Sequence, residues 1–240
     1  MAEERAGGIR QSATGLFGGT FDPIHFGHLR LATELAEAFH LEKVIFIPAG
    51  LPYHRGRDAH ATSQERLTMV KLATARDARF DVDERELKRG GNTYTYDTLV
   101  EIRKERGAAE PLVFLLGTDS FAHIDTWHRW TDLFDLAHFA VAVRGDDANW
   151  LAKGPGIFPK DAWPRITLNP RDLQAAPCGK VMTFAMTPLA ISSTALLALA
   201  GDGASLRYLT PNPVVEFIRS RNLYAPARDL HEAGNPTSAR

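Results

Sequence analysis

The chain has 240 residues, enough for one large α/β domain with a sizeable core or for two small ones. Its 28 Lys and Arg stand against 29 Asp and Glu for a formal net charge of −1, so no broad basic field marks a binder of nucleic acid or of an anionic membrane; a local anion site would not show in that sum. A single cysteine, Cys178, excludes an intrachain disulfide and a multi-cysteine metal cluster and fits a reducing compartment, and no apolar run approaches the roughly 20 residues of a membrane span.

Taken in chain order, Met1–Gln11 carries charges with no apolar stretch behind them, so a signal peptide is not expected and a cytoplasmic location is. Residues 1–12 and 226–240 are polar and aperiodic and are expected to be disordered tails around a single domain at 13–225. Thr14–Phe17 reads as a short strand cut off by Gly18-Gly19. Gly27–Phe39 reads as a helix whose broad apolar face is Leu29, Leu31, Ala32, Leu35, Ala36 and Phe39. Lys43–Pro48 (KVIFIP) is a buried-type strand, and Thr62-Ser-Gln-Glu65 has the form of a capping box opening a helix to about Ala75. A helix over Thr95–Arg106 precedes a buried strand at Leu112–Gly117 (LVFLLG). His138–Val143 and Val181–Ala185 read as strands, and Ser193–Ala200 and Pro211–Arg221 as closing helices, the latter with proline at its first position. The glycine, proline and tryptophan content of 145–164 marks an irregular excursion. Fully apolar strands alternating with helices indicate one doubly wound α/β domain, its parallel sheet covered on both faces.

The segment Gly18–His28 concentrates the chemistry. Ligands in open α/β sheets bind beyond the carboxyl ends of strands, and helix N-termini favour anions. Gly18 and Gly19 let a ligand approach the backbone, and Gly27 permits close packing where the helix starts. His25 and His28, three apart, share a face if both lie in the first turn. A double glycine alone is an ordinary turn, and two histidines with Asp22 as a third ligand could form a metal site, but neither a fourth ligand nor HExxH is visible. GxGxxG and GxxxxGK[ST] are both absent, which removes most of the case for an ordinary dinucleotide oxidoreductase or a P-loop enzyme.

The spacing Gly-Gly-Thr-Phe-Asp-Pro-x-His-x-Gly-His resembles the signature of the nucleotidyltransferases built around HxGH or TxGH. The resemblance implies a Rossmann-like doubly wound, mostly parallel sheet with helices on both faces. It assigns His25 and His28 to catalysis at the phosphates of ATP, beside Gly18, Gly19, Thr20 and Phe21. Ile191-Ser192-Ser193-Thr194, which alone reads as an N-cap, matches the family's second phosphate-binding signature. Pro48–Arg55, Asp83–Lys88, Thr93–Leu99, Gly117–Ser120 and Thr126-Trp127 follow in the order found in the bacterial nicotinate-mononucleotide adenylyltransferases, over roughly Thr14–Tyr224.

That likeness implies transfer of the adenylyl group of ATP to nicotinate mononucleotide, giving nicotinate adenine dinucleotide and pyrophosphate in NAD synthesis. It places the pyridine ring on Trp127, its carboxylate at the backbone amides around Tyr94 and Thr95, and His54 and Arg55 on the mononucleotide side. Gly117 and Asp119 hold a ribose on the ATP side, and Arg144 reaches the ATP phosphates. Magnesium carried by the triphosphate is expected from the reaction class, with no metal ligands on the chain. Where the family continues ISST to an arginine, this chain has Leu197, leaving Arg144 or Arg207 to supply the cation. The competing readings are another acceptor, phosphopantetheine or glycerol phosphate, and a non-catalytic nucleotide-binding module. Spacing does not separate nicotinate from nicotinamide mononucleotide, nor does it give the oligomeric state.

Overall fold

The computed structural model describes residues 12–52, 59–144 and 158–225. Along the chain run β1 (Ala13–Gly19), α1 (Phe26–Ala38), β2 (Leu41–Pro48), β3 (Leu51–Pro52), α2 (Ser63–Thr74), β4 (Phe80–Val82), α3 (Arg85–Arg89), β5 (Asn92–Thr93), α4 (Thr95–Arg106) and β6 (Leu112–Gly117). They are followed by α5 (Thr118–Ala122), β7 (His138–Arg144), α6 (Asp172–Ala175), β8 (Val181–Met186), α7 (Ser193–Gly201) and α8 (Asn212–Ser220).

The main sheet has six strands in the order β4-β2-β1-β6-β7-β8, and every neighbouring pair is parallel. The chain winds outward from β1 to β2 and β4, then returns to β6 and winds the other way through β7 to β8. The switch point therefore lies between β1 and β6, where the carboxyl ends of adjacent strands open a crevice for a ligand. Alternation along each strand divides the core. In β6, Val113 and Leu115 join Leu31, Leu35 and Phe39 of the α1 side and Val214 and Ile218 of α8. Leu112, Phe114 and Leu116 point to the other face, with Leu99 and Ile102 of α4 and Phe139 of β7. Each such aliphatic or aromatic side chain contributes about 1.5–3 kcal/mol by leaving water.

The predicted strands and helices are present with modest changes in length. The capping box of α2 forms as expected: the Glu65 amide donates to Thr62 Oγ1 at 3.2 Å, and the Thr62 amide to Glu65 Oε2 at 2.9 Å. One correction concerns α8, which starts at Asn212, so Pro211 is its N-cap rather than its first residue. The irregular excursion ends in a 3-10 helix at Lys160–Arg165, which carries Pro164 inside it, and most of its remainder lies outside the described residues. The short edge strand β4 and the two-stranded β3–β5 ladder were not expected, since two- and three-residue strands carry too little alternation to read. Among the described residues no helix is long and apolar enough to cross a membrane.

Candidate nucleotide site

A cavity of about 420 Å³ sits at the switch point. Its walls come from the ends of β1 (Phe17, Gly18, Gly19), β6 (Leu116, Gly117) and β8 (Met186), and from the starts of α1 (His28), α4 (Thr95) and α7 (Ser193). The first turns of these three helices present backbone N–H groups and the positive end of the helix dipole, so a chain of formal net charge −1 gathers a local positive field here that suits an anion.

His25 is the N-cap of α1, in extended backbone, and is 4% exposed. Its amide donates to Nδ1 of His28 at 3.3 Å, and the rings stack with centroids 3.7 Å apart and planes at 23°. An Nδ1 that accepts this bond makes Nε2 the donor nitrogen of the ring, and His28 lines the cavity. Phe21 holds the ring from another side, edge-on at 5.1 Å. Gly27 makes this stack possible. A Cβ there would lie 2.9 Å from both Cε1 and Nδ1 of His25 and 3.4 Å from the Ile191 carbonyl. Gly19 is constrained in the same way, since its Cβ would strike the Phe21 ring at 2.9 Å.

The backbone carbonyls of the phosphate loop are held from distant parts of the chain. Thr20 O accepts from Arg66 Nη1 at 2.8 Å, Pro23 O from Ser193 Oγ at 3.1 Å, and Ile24 O from Thr210 Oγ1 at 2.7 Å. Asp22 accepts the His60 amide at 2.6 Å and the Tyr224 hydroxyl at 2.6 Å. Burial and the bond to Asp22 push the Tyr224 phenol well above its ordinary range, so it stays a donor. Asp22 therefore anchors the loop. Among the described residues no group of three or more His, Cys, Asp or Glu could hold a metal ion.

Of the residues singled out in the sequence, the cavity gathers Gly18, Gly19, Thr20, Phe21, His28, Thr95, Gly117, Asp119, Trp127 and Ser193. Trp127 stands edge-on to Phe114 at 6.2 Å. His25 lies behind His28. Tyr94 caps α4, turns its ring to His128 at 4.7 Å and is not among the residues that line the cavity. In the second signature Ser193 alone lines the cavity: Ser192 is the N-cap of α7 and accepts the Ala195 amide at 3.2 Å, Ile191 offers its carbonyl to the Gly27 side, and Thr194 is exposed. Arg207 is exposed and does not line the cavity. His54, Arg55 and the side chain of Arg144 lie outside the described residues.

Sequence reasoning passed over Arg66 and Glu86. Arg66 is 1% exposed, and burial pulls its guanidinium below the ordinary value while Asp22, Tyr224 and Glu86 act against that. A signal existed, because Arg66 occupies the i position of an i, i+3, i+4, i+7 face completed by Met69, Val70 and Ala73. Glu86 lines the cavity at 8% exposure, and burial pushes its carboxyl up although the hydroxyls of Thr98 and Thr93 and the Gly50 amide bond to it. Burial also pushes the Cys178 thiol up, as suits a residue with no nucleophilic role.

The sequence profile of the cytidylyltransferase-like family matches residues 16–198. Relatives include a protein of Dechloromonas aromatica named probable nicotinate-nucleotide adenylyltransferase, 46% identical over 210 residues, with 88% of this chain and 96% of the relative covered. A protein of the same name from Cellvibrio japonicus is 43% identical over 216 residues, with coverage of 88% and 97%. Among solved structures, Plasmodium falciparum nicotinic acid mononucleotide adenylyltransferase complexed with NaAD is similar in fold. Its TM-score is 0.65 at 18% identity, over 89% of this chain and 97% of that one. With the histidine stack at a switch-point crevice and this extent of likeness, the chain belongs to the cytidylyltransferase-like family and, within it, to the nicotinate-nucleotide adenylyltransferases.

Proposed function

We propose that this protein transfers the adenylyl group of ATP to nicotinate mononucleotide, with the cavity between β1 and β6 holding both. The observation that carries this reading is the convergence of the α1, α4 and α7 N-termini on one cavity, with His28 beside its phosphate loop and Trp127 among its walls. The acceptor's phosphate is mostly dianionic near pH 7, its second pKa being about 6, so no general base is required. Its oxygen forms the new bond to the α-phosphorus, the bond from that phosphorus to the bridging β-oxygen breaks, and the electron pair leaves with pyrophosphate. The chain's part is to align the two phosphates and to stabilise charge on the non-bridging oxygens. His28 donates from Nε2, and the amides opening α1 and α7 add donors along the triphosphate. The start of α4 at Thr95 receives the nicotinate carboxylate, and Trp127 offers its face to the pyridine ring. Arg144, ending β7, supplies the cation that Leu197 does not.

The family's divalent metal, here magnesium, fits a nucleotide-borne position. Asp22 already accepts from His60, Ala61 and Tyr224, and the acidic groups at the cavity do not converge into a ligand set. When bound to the triphosphate, such an ion offsets phosphate charge. The test is steady-state kinetics of His28→Ala and His25→Ala. His28→Ala is expected to lose about 10²–10³ in kcat with small changes in the acceptor's KM, as for removal of one transition-state donor, and His25→Ala to lower kcat likewise by releasing the ring it stacks against. Turnover within about threefold of the parent in both would refute the assignment.

A further inference from the structure

Gly50 is fixed by both of its polar groups, and by buried charged residues on each side. Its carbonyl accepts from Arg66 Nη2 at 2.8 Å, and its amide bonds to the Glu86 carboxylate. The site is closed as well as bonded: a Cβ on Gly50 would lie 2.7 Å from the Glu86 carbonyl oxygen and 3.1 Å from Thr93 Cγ2. The other arm of Arg66, Nη1, reaches Thr20 O in the phosphate loop. Glu86 in turn accepts from Thr98 Oγ1 at 2.8 Å and bonds the Thr93 hydroxyl, just ahead of the acceptor-side start of α4. A guanidinium at 1% exposure that spends its described hydrogen bonds on two backbone carbonyls, and none on a carboxylate, is a costly way to stabilise a fold. Its fork does suit a different task, since two divergent donors on one rigid plane set the spacing of the two backbones they grip.

We infer that Arg66 and Glu86, joined through Gly50, form a buried strut that sets the distance between the phosphate loop at Thr20 and the acceptor-side wall at Thr93–Thr95, and so act as positioning residues for adenylyl transfer. Neither touches the reacting atoms. Misplacement between the two bound phosphates by a fraction of an ångström weakens alignment in the transition state more than it weakens binding of either substrate.

This inference rests on the proposed reaction, and the experiment separates the two. The parent, Arg66→Met, Arg66→Lys, Glu86→Gln and the Met/Gln double variant are assayed with ATP and nicotinate mononucleotide, with rates normalised to the folded fraction. Arg66→Met is expected to lower kcat by about 20-fold or more and to move each KM by less than about threefold, because only alignment is lost. Arg66→Lys stays within about threefold of Arg66→Met, since one ammonium does not reproduce the fork. Glu86→Gln, nearly isosteric, lowers kcat by about fivefold, and the double variant is no worse than Arg66→Met by more than about twofold, as for residues acting as one unit. Hydrogen exchange without substrate reads the strut independently of any activity: amides at 18–21 and 49–51 accelerate together in Arg66→Met. A kcat loss that vanishes on normalisation, a KM rise at constant kcat, multiplicative effects in the double variant, or acceleration of only one of the two segments overturns the strut. A parent that does not turn over with this substrate pair overturns the proposed reaction and leaves the exchange result to decide the strut.

Discussion

Replacing Gly27 by alanine separates stability from catalysis. Gly27 is the second residue of α1, and the added methyl would stand 2.9 Å from Cε1 and Nδ1 of His25. An ordinary carbon–carbon contact is about 3.5–4.0 Å, so the ring must retreat by roughly half an ångström or more. His25 is buried against the His28 ring at 3.7 Å, so the displacement passes to the donor that meets the phosphates. Relief through the Ile191 carbonyl, 3.4 Å away, would instead push on the loop leading into α7. A 1 Å misplacement can cost about 10²-fold in rate, so a shift of half that size is expected to lower kcat by about 10- to 50-fold, or roughly 1.4–2.3 kcal/mol of transition-state stabilisation. Alanine is meanwhile a better helix former than glycine by up to about 1 kcal/mol, which offsets the packing strain, so the urea midpoint should change little. Steady-state pyrophosphate release and urea unfolding on the same preparations provide both numbers. A variant with kcat within about threefold of the parent refutes the claim that the histidine stack must be held this tightly, and one that loses kcat only in proportion to lost folded protein refutes the claim that the effect is local.

Trp127→Ala is expected to raise KM for nicotinate and nicotinamide mononucleotides alike, by about 10-fold, since a stacking face is blind to the ring substituent; a loss confined to one of them would contradict the stacking role. Arg144→Ala should raise KM for ATP by about fivefold or more with the acceptor's KM nearly unchanged, while Arg207→Ala, at an exposed position away from the cavity, should do neither. If Arg144→Ala is silent and Leu197→Arg tightens ATP, the phosphate site is one charge short. His138 is fully buried, accepts the Lys180 amide at Nδ1 and faces the Ala176 carbonyl at Nε2, and burial depresses its pKa. The unfolded chain then binds this proton more readily, so stability is full above about pH 6.5 and falls below it, at no more than about 1.4 kcal/mol per pH unit. His138→Gln should flatten that part of the pH profile of the urea midpoint, and an unchanged slope would exclude His138 as its source.

Legibility in the sequence followed the strength of local patterning. The apolar runs of β2 and β6, the Thr62–Glu65 box of α2 and the start of α7 at Ser193 were readable because each rests on a local rule of period or capping. The place of the phosphate site at the carboxyl end of β1 followed from the glycines that end that strand ahead of a helix, whereas the strand order that makes it a switch point is seen only in the fold. What escaped was non-local. Asp22 could be weighed as a metal ligand because nothing in the sequence shows that Tyr224 lies beside it, 202 positions away. Ser193 could be assigned wholly to ATP because its bond to Pro23 O spans 170 positions. Tyr94 was assigned by its backbone amide, and nothing in the sequence shows that its ring turns to His128, 34 positions on. Arg66 broke the pattern of its own helix, a local irregularity whose cause, the two carbonyls it grips, is visible only in three dimensions.

The central claim is tested most directly by initial rates of pyrophosphate release with ATP and a panel of acceptors: nicotinate mononucleotide, nicotinamide mononucleotide, phosphopantetheine and glycerol 3-phosphate. The start of α4 offers N–H donors at Thr95, which pair with a carboxylate and leave an amide's own N–H₂ without acceptors. The expected result is release with nicotinate mononucleotide at a kcat/KM more than about tenfold above that for the nicotinamide compound, and none with the other two. Equal values for the two pyridine nucleotides would contradict the reading of the acceptor site, and no release with any acceptor would contradict the assignment of this cavity to adenylyl transfer.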